Sequence, residues 1–209
     1  MVNAEIAHEL QRILTTSIEK VMENEHRLLL DRCSERAIVH WLANYFQQEA
    51  QKSNILHEYS DYTVDVEYNR VDQNGDPKEM LKCDGDACKY RHKDKCAKRY
   101  IEAETNALAS TTPDPQYNYG LIDMIYHKRG TNSLEANLFC LEVKTTSTST
   151  TDYRNMCDKK RVHSLVTNGG TTQYQFGAAI HICAPNKAEG IFYTHDQQIP
   201  IVVPPVQEG

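Results

Sequence analysis

Long apolar runs are missing from this sequence, and the apolar runs that it does contain are short, as at residues 137–141. A membrane-spanning helix needs about 20 consecutive apolar residues, so we expect no membrane partner. Residues 1–10 also lack the basic and then apolar pattern of a secretion signal. From these two absences we expect a cytoplasmic protein.

An excess of positive charge is missing as well, because 23 lysines and arginines face 29 aspartates and glutamates, for a net charge of -6. Proteins that coat nucleic acid without specificity usually carry a strong positive balance, and the composition disfavours that class. It leaves room for an enzyme, because an active site needs carboxylates and basic residues can cluster locally. Two such basic clusters lie at residues 82–99 and at Lys159–Arg161.

The spacing of apolar residues predicts one α/β domain over residues 1–209, with helices and strands in alternation. Helical spacing predicts an amphipathic N-terminal helix at residues 4–24, a second helix that begins after an N-cap at Ser34, and a third at residues 153–167. Strand patterns occupy residues 64–70, 121–126, 138–144, 175–183 and 191–193. The third helix would serve as a crossover, which allows the strands before and after it to run parallel.

The stretch Glu142-Val143-Lys144 carries the clearest chemical signal. On a strand, residues two apart point to the same face, so Glu142 and Lys144 project together from a strand otherwise built for burial. Buried charges are costly unless they are paired or used. Asp123 breaks the apolar run of the preceding strand, and if the two strands pair, Asp123 and Glu142 can share a divalent ion. An ordinary ion pair at a strand end is the structural alternative.

Asp123 followed by Glu142-x-Lys144, in the order α-β-β-β-α-β, resembles the PD-(D/E)xK superfamily of restriction-endonuclease-like nucleases. Residues 122–130 and 137–144 are similar to the matching stretches of many small members. The resemblance covers roughly residues 34–70 and 119–183. It departs from the motif name at Ile122, where the name has proline.

The resemblance implies a restriction-endonuclease-like core, with a mixed central sheet flanked by helices. It implies a hydrolase that cleaves phosphodiester bonds, with DNA as the expected substrate and Mg²⁺ or Mn²⁺ bound by Asp123 and Glu142. Lys144 would orient or deprotonate the attacking water, or stabilise the transition state. Whether cleavage is that of an endonuclease or an exonuclease, and whether RNA is cut instead, stays open.

Glu35 is a further candidate catalytic residue, because it lies three residues before Ile38 and seven before Leu42 on the core-facing stripe of its helix. Some relatives in the superfamily, such as the archaeal-type Holliday-junction resolvases, take a metal-site glutamate from their first core helix. The alternative is a first-turn glutamate favoured by the helix dipole.

A cysteine-bearing insertion interrupts the domain at residues 72–115. It contains Cys83, Cys88, His92 and Cys96 at the spacing C-x4-C-x3-H-x3-C, a ligand set suited to a structural Zn²⁺ site. The chain has seven cysteines, an odd number that argues against a framework of disulfides in a cytoplasmic protein. A basic loop with incidental thiols is the alternative.

Other polar residues are interpreted as structural. Solvated faces are expected for the strand residues Asp65, Glu67 and Asn69 and for the helix residues Asp152, Asp158 and Lys159. The alternative for Glu67 is that it lines the catalytic cleft. His127 and His181 are expected to be core or surface histidines.

Three functions compete. The first is the metal-dependent nuclease; the second is a catalytically inactive nuclease-fold module that binds nucleic acid or a protein partner; the third is an interaction protein in which the insertion is the functional part. A chain of 209 residues offers little surface for reading a base sequence, so a homodimer or a protein partner is plausible.

Overall fold

The structure is a computed structural model that describes residues 4–31, 33–68, 79–81, 117–119, 122–131, 133–145, 153–167, 173–183 and 187–204. Its helices are α1 (Ala4–Asn24), α2 (His26–Leu30), α3 (Glu35–Lys52) and α4 (Tyr153–Thr167), with a short 3-10 turn at His57–Tyr59. Its strands are β1 (Thr63–Tyr68), β2 (Glu79–Leu81), β3 (Tyr117–Tyr119), β4 (Ile122–His127), β5 (Asn137–Thr145), β6 (Phe176–Cys183), β7 (Lys187–Tyr193) and β8 (Gln198–Val203).

Six of the strands form one mixed sheet in the order β1-β4-β5-β6-β7-β8. Strands β5 and β6 run parallel, and every other neighbouring pair in this sheet is antiparallel. Helix α4 makes the crossover that a parallel connection requires. The α/β class, the mixed sheet and the parallel pair around a helical crossover were predicted from the sequence and are confirmed.

The two faces of the sheet are covered by different helices. Side chains of β5 alternate, so Leu141 and Val143 join the core under α1 and α3, whereas Cys140 joins a second core that includes Val162 and Leu165 of α4. Glu142 lies between Leu141 and Val143 in the sequence and therefore faces α4. Any chemistry at Glu142 is placed between the sheet and that helix.

Helix α1 has the predicted bounds, and its buried positions Leu10, Ile13, Leu14 and Ile18 follow helical spacing. Helix α3 begins at Glu35 as expected, but the Ser34 hydroxyl makes no capping hydrogen bond. Ser34 therefore occupies the N-cap position, as predicted, but caps the helix without its side chain.

Several elements were not expected: the 3-10 turn at His57–Tyr59, the short strands β2 and β3, helix α2 and strand β8. Helix α2 spans only five residues, too short for apolar spacing to reveal it. Strand β8 contains Pro200, which argues against a central strand, and it lies at the edge of the sheet, where a missing backbone N–H is tolerated. Its side chains alternate between the core and solvent: Ile201 and Val203 are buried, and Val202 is exposed.

The insertion is described only near its two boundaries. There, β2 pairs antiparallel with β3 in a separate two-stranded sheet. The four predicted zinc ligands, Cys83, Cys88, His92 and Cys96, lie outside the described residues, so the zinc site stays a prediction. Within the described ranges, no helix combines the length and apolarity needed to cross a membrane.

Candidate functional site

The three motif residues come together at the C-terminal half of β5. Strands β4 and β5 pair with Met124 opposite Leu141, and the same register extended by one pair would place Asp123 opposite Glu142. The Asp123 carboxylate accepts a hydrogen bond of 2.8 Å from the backbone N–H of Val143. The backbone of β5 thus holds the Asp123 side chain. Glu142 is its neighbour across the two strands, and Lys144 lies two residues further along β5.

Helix α4 adds two charged residues to the motif. The Arg161 guanidinium donates from Nη2 to Glu142 Oε2 at 2.7 Å and to Asp158 Oδ1 at 2.9 Å. Asp158 Oδ2 lies 3.5 Å from Lys144 Nζ. Glu142 is 1% exposed and Asp158 is 8% exposed, so both carboxyl groups lie in the interface between α4 and the sheet.

The prediction that Asp158 lies on a solvated face is wrong, and Arg161 was noted only as part of a basic cluster. A signal for both was available. Asp158 lies four residues before the buried Val162 and seven before Leu165, which places it on the apolar stripe of its helix. Arg161 lies three residues after Asp158, on the same side.

Glu35 contacts the motif through Lys144. Lys144 Nζ donates to Glu35 Oε1 at 2.8 Å, and the backbone N–H of Thr145 donates to Glu35 Oε2 at 3.3 Å. The expectation that Glu35 faces the other motif residues agrees with this contact. Glu35 therefore fixes the Lys144 ammonium between α3 and the end of β5.

The cluster has more negative than positive groups. Its carboxyl groups are those of Asp123, Glu142, Asp158 and Glu35, and its cations are Lys144 and Arg161. Four carboxylates against two cations leave two negative charges uncompensated when every group is ionised. One divalent cation would balance that charge.

Burial and charge repulsion act on the two most enclosed carboxyl groups. Burial raises the pKa of Glu142 well above its ordinary value, and the charges of Asp123 and Asp158 add to the rise, while Arg161 opposes it. Burial likewise raises the pKa of Asp158, against the opposing charges of Arg161 and Lys144. The cluster therefore retains protons that exposed carboxyl groups would release.

The two cations are held in their charged forms. Burial acts to lower the pKa of Lys144, but the charge of Asp158 and the contact with Glu35 outweigh it, and the pKa rises. Burial also opposes the charge of Arg161, yet Glu142 and Asp158 raise its pKa. Lys144 therefore serves as a positive charge and hydrogen-bond donor in this arrangement, not as a base.

Some polar atoms of the cluster remain unsatisfied. Among the described residues, the buried atoms Glu142 Oε1, Asp158 Oδ2 and Arg161 Nε have no hydrogen-bond partner, although Asp158 Oδ2 lies 3.5 Å from Lys144 Nζ. Buried polar atoms without partners are rare in folded proteins, and they often mark a site where an ion or ligand binds. Paired hard carboxylate oxygens, one of them without a donor, fit a Mg²⁺ or Mn²⁺ ion bound between Asp123 and Glu142.

The cluster opens to the surface through a small pocket. The pocket is lined by Glu142, Lys144, Asp158, Lys159, Ala179, Ile180 and His181. Lys144 and His181 are register partners on the parallel strands β5 and β6, so the pocket follows the β5–β6 seam along its α4 side. Lys144 and Lys159 thus lie beside the carboxyl groups of Glu142 and Asp158 at this pocket.

Polar residues of β1 and β4 form a separate group. The Asp65 carboxylate contacts His127 Nε2 at 2.8 Å and is paired with Arg129. Burial acts to raise the pKa of Asp65, but the hydrogen bonds from Arg129 and His127 outweigh it and lower the pKa. The solvated face expected for Asp65 is wrong, whereas His127 is the buried core histidine that was expected. The side chain of Glu67, and Asn69 and Asp152 as whole residues, lie outside what the structure describes.

Comparison of the chain with models of protein families, with curated proteins and with solved structures finds no match. The geometry and charge of the cluster are therefore the grounds on which a function can be assigned.

Proposed function

We propose that this protein is a metal-dependent nuclease of the PD-(D/E)xK type, with Asp123, Glu142 and Lys144 at its active site. The observation that carries the proposal is the pairing of two carboxylate-bearing strands beside a charged lysine, in a cluster of four carboxyl groups and two cations whose most buried carboxyl groups hold protons that a divalent ion could replace. A site that only stabilises the fold gains nothing from excess buried charge, which costs free energy.

The order of elements supports a restriction-endonuclease-like core. Elements α3, β1, β4, β5, α4 and β6 follow the order helix, three strands, helix, strand. Their strands are consecutive neighbours in the sheet, and only β5 and β6 run parallel. This order is the one that the resemblance implied.

The residues divide the chemical work among them. Asp123 and Glu142 would hold a divalent ion, which when bound activates water and offsets negative charge on a phosphate. Glu35 keeps the Lys144 ammonium in place, and Lys144 orients the attacking water or stabilises the phosphorane-like transition state by its charge. Arg161 exchanges its contact with Glu142 for a contact with the phosphate, because a guanidinium binds both carboxylate and phosphate well.

A cleavage assay with the full chain tests the proposal. The protein is incubated with a mixed panel of DNA and RNA substrates in Mg²⁺, Mn²⁺, Ca²⁺ or excess EDTA. We expect cleavage of DNA with Mg²⁺ or Mn²⁺ and none with Ca²⁺, which accepts looser coordination and activates water poorly. Robust cleavage in EDTA would rule out the mechanism, and preferential cleavage of RNA would correct the substrate.

Single substitutions locate the site. Asp123→Ala and Glu142→Ala should each abolish cleavage and leave the circular dichroism spectrum unchanged. Lys144→Arg should recover only part of the activity, because a planar fork does not replace a compact ammonium. Asp196→Ala is the matched control, since Asp196 is an exposed carboxylate that contacts His195. Wild-type rates in either alanine variant would remove Asp123 and Glu142 from the active site.

One observation favours a second function. Arg161 already contacts Glu142 and Asp158, as a cation does when it substitutes for a metal ion in a nuclease fold that no longer cleaves. In that case the chain binds nucleic acid or a protein partner without hydrolysis. Electrophoretic mobility shifts with DNA in EDTA, together with no cleavage in Mg²⁺ or Mn²⁺, would favour this module. A cytoplasmic location and a homodimer or protein partner also remain predictions.

A further inference from the structure

A second group of ligand atoms lies on the α4 face of the sheet, on strands β6 and β7. These strands are antiparallel, with His181 opposite Glu189 and Cys183 opposite Lys187. Residues two apart on a strand share a face, so His181, Cys183, Glu189 and Lys187 form the four corners of one patch. The apolar residues Ile180, Ile182 and Ala188 of the same two strands point the other way, into the core under α1 and α3.

The three possible ligands of this patch are close together. Cys183 Sγ lies 3.3 Å from His181 Nδ1. One ligand atom from each of His181, Cys183 and Glu189 lies within 4.8 Å of the other two. In a tetrahedral zinc site, a sulfur and a nitrogen ligand are about 3.5 Å apart, as follows from the usual bond lengths and angle. The thiol and the imidazole already have nearly that separation, and a Glu189 oxygen lies within 4.8 Å of both.

We propose that His181, Cys183 and Glu189 form a Zn²⁺ site, separate from the carboxylate pair of Asp123 and Glu142. A thiolate, an imidazole and a carboxylate are ligands of a borderline-soft ion, whereas Mg²⁺ takes oxygen ligands alone. Three protein ligands leave the fourth tetrahedral position to water or a small ligand. The proposal does not rest on nuclease activity.

The surroundings of the patch fit a site that exchanges one cation for another. Lys187 Nζ contacts Glu189 Oε2 at 2.9 Å, and the Lys187 side chain is 54% exposed. An entering ion would displace an ammonium that can move freely into solvent. Burial raises the pKa of Cys183, and the charge of Glu189 adds to the rise. The thiol of the metal-free chain therefore stays protonated, and metal binding releases its proton.

The patch is close to the proposed active site along the strands. His181 is the register partner of Lys144 and lines the same pocket as Glu142. A zinc ion at His181 would add positive charge to one wall of that pocket. It would also clamp the end of β6 to β7, where Cys183 and Lys187 are the last register pair.

Cobalt(II) is a suitable probe, because a thiolate bound to Co²⁺ gives a charge-transfer absorption band. The titration uses the full chain with Cys83, Cys88 and Cys96 changed to serine, which removes thiolate binding by the insertion. We expect one equivalent of Co²⁺ to produce the band. Adding Cys183→Ser should abolish it, whereas Cys33→Ser, at another partly exposed thiol, should leave it unchanged. A band that survives Cys183→Ser would overturn the proposal.

A second measurement needs no change to the insertion. The wild-type chain is alkylated with and without about three equivalents of Zn²⁺, enough to fill the predicted insertion site as well as this one, and the modification of Cys183 and Cys33 is followed by mass spectrometry. Zn²⁺ should slow alkylation of Cys183 by at least about ten-fold and leave Cys33 unchanged, because a metal-bound thiolate is shielded. His181→Ala should remove the protection, and Mg²⁺ should not give it. Equal alkylation of Cys183 with and without Zn²⁺ would show that only the insertion, or nothing, binds zinc.

Discussion

Replacing Glu142 with glutamine is expected to stabilise the metal-free protein at neutral pH while it removes activity. The reason is the raised pKa of Glu142, which burial causes first and the neighbouring carboxylates increase. The folded state therefore binds this proton more tightly than the unfolded chain, where the carboxyl group has an ordinary pKa of 4.5. The bound proton contributes its full stability below pH 4.5, and this contribution is lost as the pH rises toward the folded-state pKa of Glu142.

The magnitude follows from two opposing effects. Each pH unit between 4.5 and the folded-state pKa costs the wild type about 1.4 kcal/mol, and glutamine has no such cost. Against this gain, Arg161 exchanges one neutral partner, the protonated carboxyl group, for another, the amide, at a cost of at most about 1 kcal/mol, and it keeps its contact with Asp158. One pH unit above 4.5, the gain therefore offsets the loss at Arg161. Two units above 4.5, the variant should be about 2 kcal/mol more stable than the wild type.

Urea unfolding of both proteins in EDTA, repeated at several pH values from 4.5 upward, measures this difference. The free energy of unfolding should diverge by about 1.4 kcal/mol per pH unit, with equal urea m-values. Glu49→Gln is the matched control, because hydrogen bonds from Lys20 and Lys52 lower the pKa of this buried carboxyl group. Its stabilising charge is present above 4.5, so its loss should destabilise the protein at neutral pH. Parallel pH profiles of wild type and Glu142→Gln would refute the reasoning.

Two further predictions concern packing and the insertion. A Cβ atom on Gly177 would lie 2.5 Å from Val162 Cγ1, so Gly177→Ala should push α4 away from the sheet. We expect the free energy of unfolding to fall by about 1–3 kcal/mol and cleavage to decrease as Arg161 moves. Unchanged urea unfolding would show that α4 does not pack closely against Gly177. Residues 83–96 should bind one Zn²⁺ that Cys88→Ser releases, with weaker substrate binding and little change in the chemical step. Elemental analysis that counts less than about a tenth of an equivalent of zinc would leave the insertion as a basic loop.

Sequence patterns predicted the elements that carry the motif and a crossover helix that allows the strands on either side of it to run parallel. The apolar run of β5 and the crossover length identified a buried strand with a parallel neighbour, because both are local consequences of burial and chain connection. They did not predict α2 or the edge strand β8, where one helical turn and a proline weaken the periodic signal.

The candidate site was predicted in part. Asp123, Glu142 and Lys144 stood out because charges interrupt apolar strands, and Glu35 because it lies on a helical stripe. Arg161 and Asp158 did not stand out, since polar residues at a helix surface are usually solvated and only packing against β5 shows otherwise. The pairing of His181 with Glu189 depends on the register of β6 and β7, which spacing along one strand does not give.

The halves of the proposed active site are held in the protein by different forces. Glu142 belongs to β5, which has a hydrogen-bonded strand on both sides, whereas α4 is held to the sheet by packing of Val162, Leu165 and Val166. Elements held by side-chain packing open locally at a lower free energy than central strands. Each outward fluctuation of α4 carries Arg161 away from Glu142 and uncovers the carboxylates. For the proposed metal ion, exchange at Glu142 would then depend on local opening of α4 as well as on the small pocket, and the packing beneath α4 would influence its rate.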